Sequence, residues 1–239
     1  MEALIPIACW TAFFSAMHVY AVRKVDSDFH RAFKLSRGVA AILLTGVGVW
    51  ALAVSFNQTG ADGGPGGWHA GFLFHHATND VLRFGMYFVL GHFTSDFLWM
   101  LWGRHSYGYE MRADLVIHHG IGLLTYGIAL YLNVAYAICL ITMVSELMPV
   151  TTGLSAWEQH EHNPRLVGFA RKARLLVLVW WRGPLWGFLG AALIRAIWMG
   201  DVPNGLLPIF ILALVCMIAL LGLDEFWIRK CMPRGEPKS

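Results

Sequence analysis

The sequence predicts an all-α polytopic membrane protein of about seven transmembrane helices, and three observations predict it. Of its 239 residues 57% are hydrophobic and only 14% charged, a more apolar balance than soluble domains carry. Mean hydropathy is +0.54. Runs long enough to cross a ~30 Å hydrocarbon core at ~1.5 Å per residue occur at 3–22, 37–56, 80–102, 114–132, 133–152, 173–199 and 205–228. Basic residues gather in alternate connections between those runs.

The first run lacks the basic start of a leader and carries Trp10, His18 and Tyr20 where a small-residue cleavage site would lie, so it reads as a helix. Between the second and third runs, the stretch from Gly60 to Gly67 is too rich in glycine to bury a core and reads as a flexible outer loop. Trp68, His69, Phe72 and Phe74 then read as an interfacial aromatic segment, with His75 and His76 at the outer surface. The fourth and fifth runs form a tight hairpin through Asn133. The connection 153–172 carries Glu158, His160, Glu161 and His162 among basic residues; a solvated linker is expected there rather than a metal site. In the sixth run Gly183-Pro184 predicts a kink beside Arg182, and Pro149 does the same below Glu146.

The basic residues set the orientation. Arg23, Lys24, Arg31, Lys34 and Arg37 fall in the first connection, Arg104 and Arg112 in the third, and Arg165, Arg171, Lys172 and Arg174 in the fifth. Arg229, Lys230, Arg234 and Lys238 follow the last run, which puts 15 of the 18 on one side. The positive-inside rule makes that side cytosolic, with the N-terminus outside and the C-terminus inside. Topology and anionic lipid account for this charge, and nothing points to nucleic acid. Cys9, Cys139, Cys216 and Cys231 form no CxxC pair and no spaced ligand set, so neither a disulfide framework nor a structural metal is expected. No repeat or second domain is visible.

The chemistry gathers at one depth. His118 and His119 lie four to five residues, or ~6–8 Å, inside the fourth run. Asp96 and Glu146 lie about six residues, or ~9 Å, from the cytosolic ends of the third and fifth. Ionisable groups inside a membrane are costly and usually mark a functional site. His92 shares a helix face with Asp96, Thr142 with Glu146, and Arg182 on the sixth run approaches the same level. Neighbours on a helix point ~100° apart, so one imidazole should face a cavity and the other an adjacent helix. Imidazole titrates near neutral pH and a carboxylate fixes its tautomer, which suits acid–base work. His18 stands apart from this group and is expected to be structural.

The stretches Ser95-Asp96-Phe97-Leu98-Trp99-Met100-Leu101, Asp114-Leu115-Val116-Ile117-His118-His119-Gly120 and Ser145-Glu146-Leu147-Met148-Pro149 resemble the core of a TLC domain, the family of ceramide synthases and translocating-chain-associated proteins. The resemblance covers roughly residues 30–230. It implies an N-terminal helix and basic linker (1–29), a six-helix TLC barrel (30–230) and a cytosolic tail (231–239). Ceramide synthases carry a longer motif ending in a His-Asp step and a further acid on the next helix. Here Thr142-Met143-Val144-Ser145-Glu146 holds a single acid. The chain is therefore closer to the general TLC-domain-containing branch, linked to phospholipid composition and membrane fluidity.

The resemblance implies lipid metabolism: acyl transfer from acyl-CoA, a co-substrate rather than a bound cofactor, to a lipid amine or hydroxyl in a cytosol-facing cavity. His118, His119, Asp96 and Glu146 would be catalytic, and His92, Thr142 and Arg182 would bind substrate. Lipids and fatty acyl-CoA are the implied partners, with room for a homodimer, in the endoplasmic reticulum or plasma membrane. The alternative is a non-enzymatic barrel that binds or senses lipid. A zinc hydrolase wants three ligands and a water, and the sixth and seventh runs supply no histidine. A haem bundle would need axial ligands such as His92 and His118 facing each other.

Overall fold

The computed structural model describes residues 2–61, 79–161, 163–202 and 205–232, with side chains for all of these except 57–61 and 158–161. The expected outer loop beyond Ala61 and the aromatic segment Trp68–Phe74 with His75 and His76 lie outside that set. So do the side chains of Glu158, His160, Glu161 and His162, and the tail beyond Met232.

The chain is an all-α, multi-pass membrane protein. Its helices are α1 (Leu4–Tyr20), α2 (Phe29–Ala61), α3 (Asp80–Tyr107), α4 (Ala113–Leu132), α5 (Tyr136–Val144), α6 (Met148–Glu161), α7 (Pro164–Leu176), α8 (Gly183–Met199) and α9 (Leu207–Cys231). Wider π turns extend α1 through Ala21–Val25 and join α7 to α8 through Val177–Arg182. Among the described residues, six segments are long and apolar enough to cross a membrane: Leu4–Val25, Phe29–Phe56, Ala113–Leu132, Tyr136–Trp157, Pro164–Met199 and Leu207–Cys231.

Helix α3 is as long but more polar, and the polar side chains at its middle are enclosed by protein. His92, Ser95 and Asp96 are all buried, among Leu82, Met86, Phe88, Val89 and Met100. It packs against α1, α2, α4 and α5. Neighbouring contacts run from α2 to α3, α4, α9, α8, α5 and back to α2, with α1 lying against α2 and α3.

Several boundaries differ from those expected. Helix α2 starts at Phe29 instead of 37, so Arg31, Lys34 and Arg37 stand in its first turns and not in a loop. The fifth run is broken: α5 ends at Val144, and α6 begins at Met148 with Pro149 in its first turn, where a proline needs no N–H partner. The linker expected over 153–172 is a helical hairpin of α6 and α7, with the Asn163 side chain accepting from the Arg165 N–H and Pro164 opening α7. Helix α4 ends where Asn133 turns left-handed (φ 56°), and Ala135 does the same (φ 56°) before α5, making the hairpin tight.

Candidate functional site

Two polar clusters meet at adjacent residues of α4. The first surrounds Asp96, which is fully buried. Its Oδ2 accepts from Arg37 Nε at 2.6 Å and from His119 Nε2 at 3.0 Å, while Oδ1 accepts from His18 Nε2 at 3.0 Å. His92 Nδ1 stands 3.7 Å from Oδ1, beyond hydrogen-bond reach. Four helices thus converge on one carboxylate. His18 Nδ1 rests on the Ser36 hydroxyl at 2.6 Å, which fixes that ring from its other edge.

Two expectations change here. His18 is not a lone structural imidazole but a partner of Asp96, and Arg37 is not a loop charge but its closest counter-ion. Helix α2 begins two turns earlier than its hydropathy suggests, which carries Arg37 into the bundle.

The second cluster surrounds Arg182. Its Nε donates to Asp224 Oδ1 at 3.1 Å and Oδ2 at 2.9 Å, and its Nη1 to Glu146 Oε1 at 3.0 Å. Trp186 and Trp227 flank the guanidinium, with its central carbon 5.6 and 5.9 Å from their ring centres, a favourable position for a cation over an aromatic ring. The break between α5 and α6 is met from the same helix. Trp181 Nε1 donates to the Val144 carbonyl at 3.1 Å, and Arg182 Nη1 reaches the Ser145 carbonyl at 3.5 Å. Leaving backbone carbonyls unpaired in a membrane is costly, so the break and its donors belong together. The π turn ending at Arg182 accompanies Pro184, which has no N–H to donate.

His118 links this second cluster to a cavity. Its Nε2 lies 3.4 Å from Glu146 Oε2. A carboxylate only accepts, so the ring proton belongs on Nε2 and the lone pair on Nδ1, which has no hydrogen-bond partner. His119 differs: Nδ1 meets the Leu115 carbonyl at 3.0 Å and Nε2 meets Asp96. Both of its nitrogens therefore have partners, which fixes the ring from two edges.

The two clusters approach each other here, with the His118 and His119 ring centres 5.5 Å apart.

The cavity measures about 110 Å³ and lies between α4, α5, α8 and α9. Along α4 it follows His118, Gly122, Tyr126 and Ala129, roughly 16 Å of helix at ~1.5 Å per residue, with Val134 and Ala135 at its far end. Its walls are almost wholly apolar. Polar groups gather at one end: His118, Glu146 and Thr142, whose hydroxyl bonds the Tyr126 hydroxyl. Past that end, Trp227 Nε1 donates to Asp114 Oδ2 at 2.7 Å, tying α9 to the start of α4.

Of the residues expected at a site, His118, Glu146 and Thr142 line this cavity. His119, Asp96 and His92 stand behind it in the first cluster. His92 is packed edge-on against Phe14 and does not line the cavity, although it was expected to bind substrate. Arg182 is held by two carboxylates and lies behind the cavity wall, a correction to its expected substrate-binding place. Asp224 was missed although it and its neighbour Glu225 are the two acids within the apolar run 205–228, and an intramembrane acid is a signal in itself. Trp186 and Trp227 offered no such signal among 11 tryptophans.

No family model, curated protein or solved structure matched the chain.

Proposed function

We propose that the protein transfers a fatty acyl group from acyl-CoA to a lipid amine or hydroxyl, with the reacting atoms at His118. The observation that carries this is the cavity: an apolar slot roughly 16 Å long, close to the ~15 Å of one leaflet, half a ~30 Å hydrocarbon core. It ends on an imidazole with a free lone pair. Such a slot suits one extended acyl chain with its carboxyl carbon at His118.

In the reaction, His118 Nδ1 takes the proton from the acceptor amine or hydroxyl as its nitrogen or oxygen attacks the thioester carbonyl. The carbon–sulfur bond breaks, and His118 returns the proton to the leaving thiolate, giving an amide or ester and CoA. Glu146 holds the Nε2 proton and stabilises the transient imidazolium. Asp96 and His119 position the neighbouring turn of α4.

A TLC-type arrangement is part of this proposal: six helices in a ring, α2 to α5 with α8 and α9, and α1 outside. The sequence stretches around Asp96, His118-His119 and Glu146 support it, as does the neighbour order of the helices. The proposal includes α3 as a seventh crossing, the N-terminus outside, the C-terminus cytosolic and a place in the endoplasmic reticulum or plasma membrane. Acyl-CoA then arrives from the side of Arg112, where Trp227 and Asp114 must part.

The test is purified protein with labelled acyl-CoA and mixed lipid acceptors, comparing wild type with His118→Ala. Acylated lipid from wild type and none from the variant is expected. Lipid bound by wild type without any turnover would sink transfer and leave a lipid-binding protein, which the apolar cavity alone would serve.

A further inference from the structure

Three buried nitrogens near the head of the cavity have no partner among the described residues: His118 Nδ1, Arg182 Nη2 and Trp186 Nε1. The first is a lone pair and already has a role in transfer. The other two are donors and nothing else, since an indole N–H does not accept and a guanidinium keeps its protons. Buried donors without acceptors are rare in folded proteins, and each such group calls for an explanation.

Trp186 lines the cavity and is 3% exposed. It stands one turn beyond Arg182 on α8, with the guanidinium carbon 5.6 Å from its ring. Glu146, bonded to the same guanidinium at 3.0 Å, lines the cavity as well. The indole N–H and the His118 lone pair therefore belong to residues that line the same otherwise apolar slot, while Arg182 stands behind its wall. A bare hydrocarbon would leave the indole N–H unmet. An ammonium head offers only further donors.

We propose that Trp186 Nε1 is a ligand-binding donor that holds the carbonyl oxygen at the head of a long-chain acyl compound in the cavity. This rests on the reading that the cavity takes an acyl group, and it names the atom that recognises one. During transfer the same donor faces the oxygen that gains negative charge as the carbonyl carbon becomes tetrahedral, the role in which preorganised N–H groups contribute most.

The test compares two uncharged probes of similar length, tritiated methyl palmitate and tritiated hexadecane, on the full chain in nanodiscs. Trp186→Phe keeps an aromatic ring and removes the N–H. Methyl palmitate should bind about ten-fold more weakly to the variant, the scale of one buried hydrogen bond, while hexadecane binds unchanged and so reports an intact cavity. In wild type labelled with ¹⁵N-indole, the one resonance missing from the variant should shift downfield on adding methyl palmitate and stay in place with hexadecane. Equal loss for both probes, no loss for methyl palmitate, or no binding of methyl palmitate to wild type overturns the proposal. Acyl transfer that persists alongside undiminished methyl palmitate binding in Trp186→Phe overturns this assignment and leaves transfer standing. A selective loss of methyl palmitate without any turnover does the reverse.

Discussion

At the scale of single residues, the adjacent histidines differ in what surrounds them, and their substitutions should differ accordingly. His118 has one partner, Glu146, and a free lone pair, so His118→Ala should abolish acyl transfer while changing the unfolding midpoint little. His119 has acceptors on both nitrogens. Its removal leaves Asp96 with Arg37 and His18 and takes away one of its three hydrogen bonds. His119→Ala should therefore lower activity and also destabilise the fold, by about 1–3 kcal/mol as a buried carboxylate loses a hydrogen bond. Thermal unfolding in the same detergent separates the two, and equal destabilisation would contradict the division of roles.

Arg182 gives a sharper form of the same test. Arg182→Met leaves Glu146 and Asp224 buried without their counter-ion, and a loss of about 3–5 kcal/mol is expected. Adding Glu146→Gln and Asp224→Asn to that variant removes the stranded charges and should restore most of the stability while leaving transfer absent. A triple variant no more stable than Arg182→Met would show that packing around Trp186 and Trp227, and not charge, holds this region.

At the scale of elements, the close contacts between helices depend on small residues and on turns. A Cβ at Gly91 of α3 would stand 2.4 Å from Trp10 Cβ and 3.0 Å from the Thr11 backbone nitrogen on α1. Backbone cannot move aside as a side chain can, so Gly91→Ala should push α1 from α3 and cost about 1–3 kcal/mol, read as a lowered unfolding midpoint. Because α1 carries His18, the same change should loosen the Asp96 cluster. Ala135, by contrast, adopts φ 56°, which a Cβ disfavours by about 1–2 kcal/mol. Ala135→Gly should relieve part of that and raise the midpoint, provided the α4–α5 hairpin keeps its turn.

At the scale of the whole molecule, parity decides the topology. Six crossings put both termini on one side; a seventh through α3 puts them on opposite sides. Tags at the two ends should be reached from opposite faces of sealed vesicles, the C-terminal tag only after permeabilisation where the cytosolic face is enclosed. Accessibility of both tags from one face would remove α3 from the count and overturn the proposed topology.

Much of this was legible before any coordinates. Hydropathy gave the helices because crossing a hydrocarbon layer demands long apolar runs, and that demand is local. Residue counting from helix ends placed Asp96, His118, His119 and Glu146 at one level, since helical rise is fixed per residue. Pro149 and Gly183-Pro184 marked the places where α5 gives way to α6 and where a π turn leads into α8, because a missing N–H is a property of the residue itself.

Which groups pair was decided only by the tertiary structure. The sequence sets a side chain's depth, but the rotation and neighbours of its helix depend on packing against the rest of the bundle. That is why His119 turns to Asp96 while His118 turns to Glu146, why His18 and Arg37 join the first cluster, and why Asp224 closes the second. It is also why Arg182 became the buried hub between two carboxylates instead of a substrate-binding cation at the cavity wall.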